Sequence, residues 1–266
     1  MYGCHEAIAP DFMLFDYYIG LDTVPGSDRT VKLPYLRHHL QEVHGGKEGL
    51  DAHALLASKT GFCNFIYANR KSHPNRDAMF HKLSAFRFVN SLGPHLNNTP
   101  GDGHRAEDWY ASSIRMKKPY KFSIAFENAW YPGYTSEKIV TSMLAGTIPI
   151  YWGNPDIGRE FNSAAFINCH DFPTLDDAAA YVKKVDKDDG LWCEIMSRPW
   201  KTPEQEARFL EETERETVKL YKIFDQSPEE ARRKGDGTWV SYYQRFLKRG
   251  HRLRLAWRRL KNRLRH

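Results

Sequence analysis

No run of about 18 apolar residues occurs in the chain, so no membrane-spanning helix is expected. The opening stretch, MYGCHEAIAPDFMLFDYYIG, carries acids and no basic region, which predicts no signal peptide. Cysteine is scarce. Cys4, Cys63, Cys169 and Cys193 are scattered, and no two form a CxxC pair. That argues against a structural zinc site or a redox dithiol and for free, mostly buried thiols in a reducing compartment. The 12 histidines show no HxxxH spacing. Asp-x-Asp occurs once, at Asp186-Lys187-Asp188, where it reads as a solvated, charged helix end. No metal ligand set is therefore expected. Internal repeats and low-complexity linkers are also lacking.

Apolar and aromatic residues are plentiful, at 41% and 14% of 266 residues, which excludes a disordered chain. The length suits one large or two small domains with a sizeable core. The net charge of +6 is unevenly spread. Residues 245–266 hold ten Lys/Arg and no acid, leaving 29 bases against 33 acids in the rest, a net −4. In that tail Phe246, Leu253, Trp257, Leu260 and Leu264 fall on one helical face, with arginines around it. An interfacial helix on an anionic membrane, an arginine-rich nucleic-acid binder and a solvated charged helix all fit. Trp257 among leucines favours the membrane surface, and no nucleic acid is expected. The corresponding location is cytoplasmic, peripheral on the inner face of a membrane if the source is bacterial.

Residues 1–60 hold too little chain for a core of their own, with a strand expected at Phe15–Leu21 and a short helix at Leu36–Val43. Phe62–Ala68 reads as a strand buried on both faces. A helix is expected from Arg76 to about Ser91, striped by Phe80, Leu83, Phe86 and Phe88. Tyr120–Phe126 and Thr147–Trp152 read as buried strands around a helix from Ser136 to Ala145, stopped by Gly146. This is a βαβ unit with a parallel sheet. A strand at Ala165–Cys169, a helix at Leu175–Val185 and a helix from the Thr202-Pro203-Glu204-Gln205 capping box to about Phe224 complete the α/β pattern.

The chemistry concentrates in Phe126-Glu127-Asn128 and Tyr134-Thr135-Ser136-Glu137-Lys138. There a strand ends, a loop turns, and a helix starts beneath a hydroxyl cap. A helix N-terminus with a lysine in its first turn suits a diphosphate, and it would lie at the carboxyl end of a parallel sheet. Glu and Lys in a first turn are also commonplace without a ligand.

The stretch YKFSIAFENAWYPGYTSEKIVTSMLAGTIPIYWGNPDI, residues 120–157, resembles the signature of the α-1,3/4-fucosyltransferases of glycosyltransferase family 10. That family shows Phe-Glu-Asn, then Tyr-x-Thr-Glu-Lys, then Gly/His-Thr-(Ile/Val)-Pro-(Ile/Val)-Tyr-x-Gly. The likeness continues more weakly through HEAIAPDFMLFDYYIGLD, FIYANRKSHPNRDAMF and FINCHDF, and fades after about residue 225. Ser136 replaces the usual threonine and keeps the hydroxyl, so the helix cap is expected to survive.

The resemblance implies a glycosyltransferase-B fold. A nearly complete Rossmann-like GDP-fucose-binding domain would span residues 61–225, residues 1–60 would be the remnant of an acceptor-side Rossmann-like domain, and residues 226–266 would form C-terminal helices and the basic tail. It implies inverting transfer of L-fucose from GDP-fucose to a hydroxyl of an oligosaccharide or glycolipid acceptor, without a metal or other cofactor. The same fold using another nucleotide sugar, or an inactive GDP-binding remnant, are the alternatives. By position, Arg76 and Lys138 match the cations on the GDP diphosphate, and Glu137 matches the acid beside the donor sugar. Asn128 and Tyr134 match loop residues around the nucleotide, though a turn former and a helix staple fit them too. Glu6, in His5-Glu6, matches the base that takes the acceptor proton, with His5 where the family has glycine and Ala7 where it has asparagine.

Overall fold

The computed structural model describes residues 2–4, 15–21, 26–33, 49–100 and 108–232. They fall into two compact units, one drawn from residues 2–4, 15–21, 26–32 and 216–232, the other from residues 33, 49–100 and 108–215.

The smaller unit carries three parallel strands in the order β1 (Tyr2–Cys4), β2 (Tyr18–Gly20), β3 (Thr30–Lys32). The strand expected at Phe15–Leu21 is thus present in shorter form, whereas the helix expected at Leu36–Val43 lies outside the described residues. Tyr17, Val31 and Ile223 form its buried apolar cluster. Two polar ties join these strands to residues 216–226. The Lys32 amide donates to Glu216 Oε2 at 3.0 Å, and the Tyr17 hydroxyl donates to Gln226 Oε1 at 2.7 Å.

The larger unit begins with α1 (Ala52–Ala57), capped by Asp51, whose carboxylate accepts the Ala54 amide at 2.9 Å. Then follow β4 (Gly61–Phe65), α2 (Asn75–Ser84), β5 (Val89–Ser91), α3 (Trp109–Lys117), β6 (Tyr120–Phe126), α4 (Glu137–Leu144), β7 (Ile148–Trp152) and β8 (Ile167–Asn168). The helices α5 (Leu175–Lys187), α6 (Asp189–Ser197), α7 (Pro203–Phe224) and α8 (Pro228–Ala231) close the described chain. The sheet order is β5-β4-β6-β7-β8, and every pairing is parallel.

Residue alternation in β6 explains how the sheet is buried on both faces. Phe122, Ile124 and Phe126 point into one core with Met79, Phe80 and Leu83 of α2 and Val182 of α5. Ala125 points into the other, with Ile139, Val140 and Met143 of α4. Each fully buried large apolar side chain is worth about 1.5–3 kcal/mol, so two such faces readily hold a five-stranded sheet. Gly146, at φ +64°, stops α4 in the left-handed conformation that glycine adopts without strain. The expected capping box opens α7: the Thr202 amide donates to Gln205 Oε1 at 2.8 Å, and the Gln205 amide to Thr202 Oγ1 at 3.3 Å.

Two expectations are corrected. The helix from Arg76 stops at Ser84 and does not reach Ser91. Phe88 turns out to solvent at 59% exposure, and Val89 pairs with Cys63 as an edge strand, so strand pairing overrides the apolar stripe. Asp186 is buried rather than solvated, because Arg87 at 3.0 Å and Lys121 at 3.2 Å neutralise it. The helix α3 was not anticipated. Cys63, Cys169 and Cys193 are free and buried, as expected.

Candidate functional site

In this sheet the strand order reverses between β4 and β6. Chain connections leave β4 in one direction, to β5, and the other direction holds β6. Such a switch point opens a crevice at the carboxyl ends of the strands. The segments that follow β4 and β6 supply the residues singled out by the sequence, apart from Glu6.

Arg76, the second residue of α2, is fully buried rather than a solvated helix arginine. Its guanidinium lies over the Tyr67 ring at 4.4 Å, with Nη1 3.4 Å from Asn128 Oδ1 and Nη2 donating to the Asn69 carbonyl. Its Nε has no hydrogen-bond partner and stands 3.5 Å from Asp77. Tyr67 is itself fixed: its hydroxyl accepts the Phe126 amide at 2.7 Å and lies 2.9 Å from the Ile124 carbonyl. Burial raises the Tyr67 hydroxyl above its ordinary pKa, against the opposing pull of Lys138 and Arg76, the two cations that act on it.

Lys138 lies in the first turn of α4. Its ammonium donates to Ser136 Oγ at 2.7 Å and to Glu127 Oε2 at 3.1 Å, and stands 3.7 Å from Glu137. Burial alone would lower Lys138, but the Glu127 and Glu137 carboxylates outweigh it and raise the ammonium above the ordinary lysine value. Burial works to raise Glu137; Lys138 first, then a backbone amide, then Lys117 overcome it, and Glu137 is held below its usual range. Tyr134 is buried, and its amide donates to the Tyr131 carbonyl at 3.1 Å.

The structure thus brings Arg76 to Asn128, and Lys138 to Glu137, on adjoining loops of one sheet edge. Glu6 and the tail at 245–266 lie outside the described residues. One detail is corrected: Ser136 occupies the N-cap position of α4, but its hydroxyl makes no cap bond. It donates instead to Glu127 Oε2 at 2.6 Å.

Sequence reasoning gave no role to several residues that build this edge. Glu127 is fully buried and also accepts the Ser136 amide at 2.7 Å. Asn154 accepts the Gly133 amide at 2.8 Å and donates to Thr135 at 3.0 Å, pinning the far end of the β6–α4 loop. His73 packs on Trp152 in a tilted ring pair with centroids 4.4 Å apart, and its amide donates to the Asn128 carbonyl at 2.8 Å. His170 Nε2 accepts the Gly153 amide at 3.2 Å, and burial lowers its pKa. Lys117 of α3 reaches the other side of α4, 2.5 Å from Thr141 Oγ1, and burial pushes it down to about 7. One signal was available for Glu127: a carboxylate directly after seven residues of buried strand has little access to water and needs a partner.

Among the described residues no cluster of three or more His, Cys, Asp or Glu is placed to hold a metal ion. A cavity of about 610 Å³, lined by Leu55, Lys59, Lys118, Ala145 and Met196, opens where the strands begin and includes none of the residues above.

Comparison with known proteins bears on family and fold. A viral relative from Acanthamoeba polyphaga mimivirus is 32% identical over 190 residues, covering 70% of this chain and 31% of that protein. The α-(1,3)-fucosyltransferase of Helicobacter pylori is 29% identical over 238 residues, covering 77% of this chain and 48% of its own length. The chain spans about a third to a half of these curated relatives. A crystal structure of an α1,3-fucosyltransferase with GDP-fucose superposes with a TM-score of 0.63 at 25% identity, over 81% of this chain and 73% of that one. The fold is α/β, of the glycosyltransferase-B type, with parallel sheets and a helical C-terminal region. The model for the C-terminal part of glycosyltransferase family 10 (fucosyltransferase) matches residues 56–232, and the chain belongs to that family.

Proposed function

We propose that this chain takes part in inverting transfer of L-fucose from GDP-fucose to a hydroxyl of an oligosaccharide or glycolipid. The observation that carries the reading is the pair of cations at the carboxyl edge of a parallel sheet: Arg76, fully buried over the Tyr67 ring, and Lys138, half-buried and held by Glu127. In this reading residues 61–225 hold the donor, residues 1–60 belong to the acceptor side, and residues 226–266 form C-terminal helices and the basic tail. Arg76 and Lys138 neutralise the diphosphate, Asn128 and Tyr134 line the nucleotide, and no metal is needed for the leaving group. Glu6 takes the proton of the acceptor hydroxyl. The acceptor oxygen bonds to the anomeric carbon as the bond from that carbon to the GDP oxygen breaks. Glu137, ionised beside Lys138, faces the positive charge that grows on the sugar.

Calorimetry with GDP, in buffer containing EDTA, tests the donor site. Lys138→Ala is expected to weaken binding by about 1.5–3 kcal/mol, the worth of a hydrogen bond to a charged group. A folded variant with wild-type affinity removes Lys138 from the site, and loss of wild-type binding in EDTA contradicts the metal-free reading. A panel of sugar nucleotides decides the donor: preference for one other than GDP-fucose overturns that part of the proposal.

No helix among the described residues is long and apolar enough to cross a membrane. We place the protein in the cytoplasm, at the inner face of a membrane if bacterial, with residues 245–266 on the anionic surface and no nucleic-acid partner. Each Lys/Arg near such a surface adds about 1 kcal/mol of attraction, screened by salt. Deleting residues 245–266 is expected to abolish sedimentation with phosphatidylserine vesicles while GDP affinity stays unchanged. Undiminished vesicle binding would refute the tail's role, and tight duplex-DNA binding without lipid preference would assign the tail to nucleic acid.

A further inference from the structure

We infer that Glu127 is a positioning residue: it anchors the Lys138 ammonium and draws the Ser136 hydroxyl away from the start of α4, so that the donor diphosphate meets a fixed cation and a helix end that Ser136 does not cap. The inference rests on the proposed donor site and adds to it a residue that contacts no substrate.

A serine at an N-cap ordinarily bonds an amide of the first turn. Here Ser136 has the extended backbone of a cap, φ −110° and ψ −178°, and no cap bond. Its amide goes to Glu127 Oε1 at 2.7 Å, its hydroxyl to Glu127 Oε2 at 2.6 Å, and the same hydroxyl accepts from Lys138 at 2.7 Å. Glu127 Oε2 also takes the Lys138 ammonium directly, at 3.1 Å. Glu127, Ser136 and Lys138 therefore form a closed triangle, which fixes the direction of a long, otherwise rotatable side chain. The chain makes room for the carboxylate. At Gly153, φ +153°, a Cβ would stand 2.4 Å from Glu127 Cγ. Residue 153 can carry no side chain while Glu127 stays where it is. Removing an ion from water is expensive and requires a compensating partner. Burial pushes the Glu127 carboxyl up, and the Lys138 ammonium acts against that shift, so Lys138 is the partner.

The consequence is electrostatic. Lys138 faces Glu127 from the end of β6, Glu137 from its own helix, Tyr134 from the loop, Tyr67 from the segment after β4, and Lys117 from α3. Burial and Lys117 disfavour the ammonium, while the two carboxylates hold its proton. In Glu127→Gln one of those carboxylates is gone and the shape is kept. Lys138 then loses its proton at lower pH than in the wild type.

GDP affinity of the wild-type chain and of Glu127→Gln, measured by calorimetry at a series of pH values, tests this. The ligand's own titration cancels in the ratio of the two dissociation constants. That ratio is expected to rise about three- to tenfold between about pH 7 and about pH 10, as the variant's Lys138 loses charge. A flat ratio in a folded variant overturns the inference. Lysine-side-chain NMR of the wild type, with Lys138 assigned from the signal missing in Lys138→Ala, serves if the glutamine variant does not fold. The Lys138 ammonium is expected to persist above the ordinary lysine value of about 10.4. Titration at or below that value overturns the inference. The two readings fail separately: wild-type GDP affinity in Lys138→Ala removes the donor site and this inference with it, whereas lost affinity there with a flat Glu127 ratio leaves the donor site and removes only Glu127.

Discussion

Arg76→Lys is expected to weaken GDP binding about 10–100-fold, ~1.4–2.7 kcal/mol, in a chain that remains folded. Lysine keeps the charge and loses the planar fork. At this position the fork is in use on three sides: one amino group lies near Asn128, the other donates to the Asn69 carbonyl, and the flat face covers Tyr67. An ammonium cannot stack on the ring and reach both loops at once. The side chain is fully buried, so water is not available to replace what is lost. Calorimetry with GDP, paired with a thermal melt to establish folding, checks the expectation. If folded Arg76→Lys binds GDP as the wild type does, the arginine ties loops together and has no part in holding the diphosphate.

The second large effect concerns the acceptor proton. Glu6→Gln is expected to lower turnover with GDP-fucose and N-acetyllactosamine about 10²–10⁴-fold, the usual worth of a positioned general base. Glutamine preserves the shape and removes the proton acceptor. GDP affinity is expected to stay within a few-fold, because in the proposed reading Glu6 meets the acceptor hydroxyl and not the nucleotide. The split between rate and affinity is the informative part. A glutamine variant that turns over like the wild type moves the base elsewhere, and one that loses GDP affinity equally has disturbed the fold.

The strands of the larger sheet were legible because burial on both faces writes continuous apolar runs, as in Tyr120–Phe126 and Ile148–Trp152. The edge strand Val89–Ser91 was not, since three residues leave no period and the preceding Phe80, Leu83 and Phe86 continue a helical stripe. At the candidate site, Arg76, Glu137 and Lys138 were singled out through the family motif, and their spacing alone would have left them as ordinary helix residues. Glu127 and Asn154 escaped because each acts on residues 9 to 21 positions away across a turn, through bonds that no short-range pattern announces. Asp186 was misjudged for the same reason. Its partners Arg87 and Lys121 belong to other elements, so a charged helix end looked solvated when it was neutralised.

The β6–α4 loop is held near its two ends. Asn128 is tied to His73 and Arg76, and Gly133 to Asn154. Between these ties sits Trp130, 53% exposed. A loop clamped in this way has ends committed to the framework and a crown that can change without loosening them. Substitutions at Trp130 are expected to alter the surface beside the proposed donor site without unfastening Asn128 or Gly133. Libraries that vary this position are expected to cost the scaffold little, since the Trp130 side chain is exposed.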